Sequence, residues 1–143
     1  MHEVKRSALV LASPGQMAAL VRDVERYPDF LSWCTEAKIH EQTETLQLAS
    51  LGVKIGGIRQ SFSTRNYLDG NRRVVLELAE GPFQEFGGQW TFAPVGEGCQ
   101  VELDLRFHFG NPLLAATFKR GFEHMADRLV SDFCKRAEAL HGA

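Results

Sequence analysis

The cysteines and histidines of this 143-residue chain do not fall at the spacings that metal ligands or nucleophiles require. Cys34, Cys99 and Cys134 are odd in number and far apart, so the sequence predicts neither a zinc site nor a disulfide framework. The five histidines form no HxxxH or HExxH arrangement, and we interpret them as structural or surface residues. The sequence therefore predicts no metal ion and no required cofactor.

The carboxylates are weak candidates for acid–base chemistry. Glu102 and Asp104 alternate onto the solvent face of a predicted strand, where a general acid or base has no cavity to serve. Glu123 and Asp127 lie one turn apart on a predicted helix, a spacing typical of solvated side chains. Spacing also reveals no Ser/His/Asp or Cys/His constellation. We therefore predict that the protein is not an enzyme.

The aromatic residues are the most informative side chains, with ten Phe, two Trp and two Tyr. They can fill a solid core, or they can line a pocket for an apolar or aromatic ligand. Patterning alone leaves both alternatives open. Alternation along strands and helical spacing place the following aromatic candidates on inner walls: Phe62, Phe83, Trp90, Phe107, Phe118 and Phe122.

A second concentration of apolar side chains lies in residues 23–34, around Pro28. Tyr27, Phe30, Leu31 and Trp33 are too large for an ordinary turn to hide. The segment can pack over the mouth of a cavity, or it can be a gate that touches a membrane during ligand exchange. Both alternatives stay open.

Arg65 is the basic residue that we consider the best candidate for contacting a bound ligand. It lies within a predicted strand between Thr64 and Asn66, where it can close the cavity or meet a polar headgroup. A surface salt bridge explains it equally well.

The elements that must position these residues can be read from periodicity. Residues 3–11 predict a strand, and Ser13 followed by Pro14 and Gln16 predicts a helix start. Pro28 predicts that this helix ends or kinks at Tyr27, with a short helical turn or tight loop over residues 29–33. A long helix begins at residues 111–112 and runs to about residue 141. Six further strands are predicted at residues 35–41, 45–53, 58–67, 73–79, 83–94 and 99–109.

This element order predicts an α+β fold in a single domain over residues 1–143. A curved antiparallel sheet around a long helix leaves an apolar cavity between them. The net charge of −2 argues against a broad phosphate-binding surface and a DNA partner, although a small basic patch remains compatible with it. No apolar run approaches the roughly 20 residues of a membrane span, so we predict a cytoplasmic protein, with peripheral contact at the inner membrane face as an alternative.

Four short motifs occur together along the chain: DVERYPDFLSWC at residues 23–34, FSTRN at 62–66, GPF with GQW at 81–90, and FCKRA at 133–137. Between residues 4 and 141 the chain thereby resembles the coenzyme-Q-binding START-like family of the polyketide cyclase/START superfamily. The resemblance implies a helix-grip fold with a curved seven-stranded antiparallel sheet. It also implies non-catalytic binding of ubiquinone or a related polyprenyl lipid, in support of respiratory electron transport.

In that resemblance Tyr27, Phe30 and Trp33 lie at the entrance of the groove. Residues implied along the groove are Phe83, Trp90, Phe118, Phe122, Met125 and Leu129.

One bacterial branch of this family implies an alternative function, in which a toxin binds a ribosomal subunit and blocks subunit association. A basic patch for RNA can come from five residues of the long helix: Lys119, Arg120, Arg128, Lys135 and Arg136. A third alternative is a cyclase or hydrolase that uses the same cavity.

Overall fold

The computed structural model describes residues 1–142 and consists of one sheet, two α-helices and one 3-10 helix. The seven strands are antiparallel and lie in the order β1-β7-β6-β5-β4-β3-β2, so the predicted fold class is confirmed. Helix α1 spans Pro14–Arg22, the 3-10 helix spans Val24–Asp29, and α2 spans Pro112–His141. The strands are β1 His2–Val10, β2 Cys34–Gln42, β3 Leu46–Ile55, β4 Ile58–Asp69, β5 Arg73–Glu80, β6 Phe83–Val95 and β7 Gly98–Phe109.

Helix α1 begins where local signals predict it, and it ends elsewhere. The Ser13 hydroxyl accepts a hydrogen bond from the Gln16 amide at 3.1 Å, and the Gln16 side chain accepts one from the Ser13 amide at 2.9 Å. The helix stops at Arg22, before the predicted break at Tyr27, and the Arg22 carbonyl, which has no intrahelical donor, accepts a hydrogen bond from Gln47 in the sheet at 2.8 Å. This contact between distant segments has no local sequence signal.

The second helical segment is also displaced from its predicted position. It spans Val24–Asp29 as a 3-10 helix, so the helical turn lies before residues 29–33. The alternative of a tight loop holds for residues 30–33, where the Cys34 amide donates to the Leu31 carbonyl at 3.0 Å. Pro28 lies inside this helix. A short 3-10 segment loses only one donor to a proline, so Pro28 marks an irregular segment without fixing where it starts.

The sheet is bent by irregular strand pairing. A register shift inserts extra backbone on one side of a pair and thereby increases local twist and curvature. Strands β5 and β6 pair over only five residues, from Arg73 opposite Thr91 to Glu77 opposite Gly87. Register shifts also interrupt β2–β3 twice, β4–β5 once and β6–β7 once.

Helix α2 has 30 residues, so it is about 45 Å long. Asn111 caps its first turn by accepting from the amides of Leu113 at 2.9 Å and Leu114 at 3.2 Å. Across residues 1–142, no helix combines the length and apolar character that crossing a bilayer demands. The buried face of α2 consists of Phe118, Phe122, Met125, Ala126, Val130, Phe133 and Ala137.

Candidate functional site

A narrow cavity lies between the inner face of the sheet and the middle of α2, with a free volume of about 80 Å³. Typical small-molecule pockets have about 300–1,000 Å³, so the cavity is nearly closed in this conformation. The side chains along it are apolar or uncharged, and the phenol of Tyr27 is the single ionisable group among the described lining residues. They are Val24, Tyr27, Trp33, Ala49, Leu51, Phe62, Thr64, Asn66, Leu76, Phe86, Trp90, Leu103, Leu105, Phe122, Met125, Leu129 and Phe133.

Seven of the residues predicted from the sequence come together along this cavity: Tyr27, Trp33, Phe62, Trp90, Phe122, Met125 and Leu129. They come from four separate elements and from the loop after the 3-10 helix, which local signals could not bring together. Their ligand-binding role stays a prediction. Thr64, Leu103 and Leu105 also line the cavity, although they were not predicted to do so. Strand parity is the signal that could have found them, because Thr64 lies on the same face as Phe62, and Leu103 and Leu105 lie on the same face as Phe107.

Three predicted aromatic residues lie in solid core instead of along the cavity. The Phe122 ring is 5.2 Å from Phe83, 4.8 Å from Phe107 and 5.8 Å from Phe118, measured between ring centroids. These contacts, edge-to-face for Phe83 and Phe107 and tilted for Phe118, fill the space between α2 and the strand ends. At this end of the sheet the aromatic side chains are structural core, and the prediction that these three line the groove is wrong.

Phe30 also lies outside the cavity lining. Its ring packs edge-on against Tyr27 at 6.1 Å and Phe133 at 5.2 Å, and the Arg136 guanidinium carbon lies 5.2 Å from its centroid. Phe30 therefore supports the back of Tyr27, which itself faces the cavity. The segment from Tyr27 to Trp33 covers one end of the cavity, with its three aromatic side chains partly buried.

Arg65 is on the other side of the sheet from the cavity. It is opposite Leu48 and Glu77 and is exposed on the outer face, so the prediction that it closes the cavity is wrong. Strand parity explains the error. Its neighbours Thr64 and Asn66 point inward and contribute the polar part of the lining.

A chain of hydrogen bonds connects this polar lining to the end of α1. The Thr64 hydroxyl donates to Asn66 Oδ1 at 2.8 Å, and Asn66 Nδ2 donates to Gln47 Oε1 at 2.7 Å. Gln47 Nε2 then donates to the Arg22 carbonyl at 2.8 Å and to Gln42 at 3.0 Å. Gln47 is 1% exposed and Asn66 is 5% exposed, so these amides depend on one another for partners. One amide hydrogen of Asn66 and the oxygen lone pairs of Thr64 are not used in this series of hydrogen bonds.

Trp33 contributes a further donor beside the cavity. Its indole Nε1 is buried and has no hydrogen-bond partner within residues 1–142. An unpaired buried donor costs about 1–3 kcal/mol, so a ligand or water that accepts from this group gains affinity from it.

Burial keeps two groups at this end of the molecule, the Tyr27 phenol and the Cys34 thiol, protonated at neutral pH. Burial, followed by the nearby Cys34 and Asp23, raises the pKa of Tyr27, whose hydroxyl donates to the Val21 carbonyl. Burial likewise raises the pKa of Cys34 to about 11. In the described part of the chain, no three His, Cys, Asp or Glu side chains are grouped so as to hold a metal ion.

Two carboxylates of α2, those of Glu123 and Asp127, lie on the flank of the helix beside β1 and not along the cavity. Glu123 is 3.1 Å from His2, and Asp127 is 3.5 Å from both His2 and Arg6. These contacts fasten β1 to α2.

A curved antiparallel sheet that grips a long C-terminal helix around an apolar cavity defines the helix-grip class of START-like proteins. The family described as polyketide cyclase / dehydrase and lipid transport matches residues 10–134, and the chain belongs to this family. The chain is 40% identical over 140 residues to the ribosome association toxin RatA of Pseudomonas aeruginosa, with 97% of each chain covered. It is 39% identical over 144 residues to RatA of Escherichia coli, covering 100% of this chain and 91% of that protein. A crystal structure of a Thermus thermophilus protein superposes with a TM-score of 0.84 at 21% identity, covering 98% and 99% of the two chains.

Proposed function

We propose that the protein binds a ribosomal subunit and hinders the association of the two subunits. The observation that carries this proposal is the 40% identity to a ribosome association toxin over 97% of both chains. A shared fold alone would not support it, because folds of this kind host several functions. Here the likeness is one of sequence and covers nearly the whole of both chains.

Subunit sedimentation tests the proposal directly. Separated ribosomal subunits are allowed to reassociate with increasing amounts of the protein and are then resolved on a sucrose gradient. We expect fewer joined ribosomes, more free subunits, and co-migration of the protein with one subunit peak. An unchanged profile at saturating protein, with the protein left at the top of the gradient, would reject the proposal.

A second candidate function is the non-catalytic binding of an apolar ligand, such as ubiquinone or a related polyprenyl lipid, in support of respiration. The cavity supports it, because aromatic walls favour an apolar ligand and the Trp33 N–H offers a donor to a carbonyl. A free volume of about 80 Å³ is too small for a drug-sized ligand, so the segment from Tyr27 to Trp33 must move to admit one. This movement would also bring the segment into transient contact with a membrane.

Extraction of bound lipid tests this second candidate. Protein purified gently from quinone-producing cells is extracted with organic solvent and analysed by mass spectrometry. Met125→Trp fills the cavity and should reduce the co-purified lipid, whereas Leu113→Trp adds the same ring to an exposed position of the same helix and should not. Absence of lipid from the wild-type protein, or equal lipid in both variants, would reject the candidate.

We do not propose a catalytic reaction in the cavity. General acid–base catalysis needs a group whose pKa lies near the working pH. Among the described residues, Tyr27 is the single ionisable side chain along the cavity, and burial keeps its phenol protonated. The proposed function is therefore binding, exerted in the cytoplasm.

A further inference from the structure

One side of the cavity is closed by the contact between the 3-10 helix and α2. Tyr27 of the 3-10 helix and Phe133 of α2 both line the cavity, and their rings meet edge-on at 5.3 Å between centroids. Phe30 packs behind both rings, at 6.1 Å from Tyr27 and 5.2 Å from Phe133. A passage into the cavity at this place therefore requires these three rings to separate.

The backbone on either side of Phe30 is fixed to the sheet. Before it, Glu25 Oε2 accepts a hydrogen bond from the Ile39 amide of β2 at 3.0 Å. After it, the Trp33 carbonyl accepts one from the Lys54 amide of β3 at 2.9 Å. Toward α2, by contrast, this segment forms no backbone hydrogen bond within residues 1–142. Separation from α2 thus breaks contacts between side chains and leaves the attachment to the sheet in place.

Tyr27 and Phe30 are held in different ways. The Tyr27 hydroxyl donates to the Val21 carbonyl of α1, so this side chain has an attachment that does not involve α2. The Phe30 ring is instead covered by Arg136 of α2, whose guanidinium carbon lies 5.2 Å from the ring centroid. A guanidinium at this distance is attracted to the face of an aromatic ring. Phe30 is therefore held to α2 by ring packing and by one cation.

The charge of Arg136 is not used elsewhere in the described part of the chain. Arg136 forms no ion pair there, and its Nε is buried without a hydrogen-bond partner. Neither Asp132 nor Glu138, the acids nearest to it along α2, pairs with it. On the 3-10 helix, Asp29 pairs with Arg26 at 3.6 Å instead. The guanidinium is thus directed to the aromatic ring that it covers.

We propose that Phe30 and Arg136 form a latch, whose closed contact holds the 3-10 helix against α2 and whose release admits an apolar ligand between Tyr27 and Phe133. The proposal rests on the second candidate function, because a cavity of about 80 Å³ needs an entrance before it can take up a ligand. Neither member of the latch lines the cavity. Both act on the ligand through the two rings that do, so they are positioning residues.

Cysteine labelling measures the opening of the latch without any ligand. Cys34 follows the segment, is 4% exposed, and has its thiol close to the Tyr27 phenol. Cys99 lies in β7 and is 1% exposed. Local opening uncovers Cys34, whereas general unfolding uncovers both thiols. Alkylation with iodoacetamide, followed by peptide mass spectrometry, gives a separate rate for each cysteine.

Arg136→Gln removes the cation of the latch, and Lys135→Gln removes the same charge from the exposed neighbouring position. For Arg136→Gln we expect Cys34 to be labelled about two to thirty times faster than in the wild type, from the usual strength of a cation–π contact. The rate at Cys99 should not change. Lys135→Gln should behave as the wild type, and Arg136→Lys, which keeps a cation, should label Cys34 at an intermediate rate.

The effect of the arginine must depend on the ring that it covers. In a Phe30→Leu background, Arg136→Gln should accelerate labelling of Cys34 by less than about twofold, because the contact is already lost. The same acceleration with and without the ring would overturn the latch. Equal labelling in Arg136→Gln and Lys135→Gln would also overturn it, as would a parallel rise at Cys99, which marks general unfolding.

Uptake of an apolar fluorescent dye connects the latch to the cavity. In stopped-flow mixing, Arg136→Gln should bind the dye faster than the wild type, by a factor similar to that for labelling of Cys34. Met125→Trp, which fills the cavity, should abolish uptake with either residue at position 136. Faster labelling with an unchanged rate of dye uptake would overturn the latch as an entrance. A wild-type protein that contains no lipid and takes up no dye would reject the second candidate function, and the labelling rates alone would then retain or overturn the latch.

Discussion

Replacement of Asn66 by leucine should destabilise the protein, because Asn66 connects the cavity lining to the end of α1. Its Oδ1 accepts from Thr64 at 2.8 Å and its Nδ2 donates to Gln47 at 2.7 Å, in a setting where Asn66 is 5% exposed. Leucine has similar length and cannot make either bond. The substitution also leaves the Gln47 carbonyl oxygen buried without a donor.

The expected cost follows from these contacts. Two lost hydrogen bonds account for about 1 kcal/mol each, and the orphaned acceptor of Gln47 accounts for a further 1–3 kcal/mol, so the total is about 3–5 kcal/mol. The matched control is Arg65→Leu, one residue away on the same strand. Because Arg65 is exposed on the outer face, its replacement should change the free energy of unfolding by less than about 0.5 kcal/mol.

Urea unfolding monitored by the fluorescence of Trp33 and Trp90 gives the required free energies. A double-mutant cycle with Gln47→Leu should show that the two substitutions are less than additive, by about 1–3 kcal/mol. The Asn66–Gln47 bond is lost in both single variants, each single variant leaves one partner of that bond unpaired, and the double variant leaves neither. Full additivity, or an Asn66→Leu protein as stable as the control, would refute the hydrogen-bond chain.

Three other perturbations test different parts of the structure. Burial raises the pKa of the Cys34 thiol from 9.0 to about 11, so this thiol loses its proton at a lower pH in the unfolded chain than in the folded protein. The free energy of unfolding of the wild type should therefore fall between pH 9 and pH 11 relative to that of Cys34→Ala. Urea titrations across that pH range measure the difference. Gly88→Ala places a methyl group against the carbonyl oxygen of Asp104 and should cost more than about 3 kcal/mol in thermal unfolding, whereas Gly87→Ala meets only an ordinary contact and should cost less than about 1 kcal/mol. Phe122→Ala should cost about 3–5 kcal/mol in urea unfolding and should enlarge the cavity enough to increase uptake of an apolar fluorescent dye.

Each of these predictions has a result that would contradict it. Parallel pH profiles for the wild type and Cys34→Ala would show that the thiol is not shielded in the folded state. Equal stability of Gly88→Ala and Gly87→Ala would contradict the close approach of β6 and β7. An unchanged dye uptake in a destabilised Phe122→Ala would show that the cavity collapses around the missing ring.

The beginnings of both α-helices could be predicted because their signals are local. The Ser13–Gln16 capping pair and the Asn111 cap each involve residues within three positions of one another. The end of α1 could not be predicted in this way, because the group that satisfies the Arg22 carbonyl is Gln47, 25 residues away.

Strand alternation likewise predicted the position of some side chains correctly and that of one side chain incorrectly. It placed Phe62 and Trp90 on the inner face, whereas Arg65, between two inward-facing polar residues, was assigned to the wrong side. Alternation alone was sufficient to place these three side chains. The error was to assign the contact with the cavity to Arg65 instead of to Thr64 and Asn66.

The sequence by itself determined the order of the elements, the two helix starts and the presence of an aromatic interior, because each depends on residue types within a short window. Only the tertiary structure decided which aromatic residues fill the core and which face a cavity. Alternation indicates the face of a strand but not the distance to the opposite wall, and that distance is set by the bending of the sheet at its register shifts.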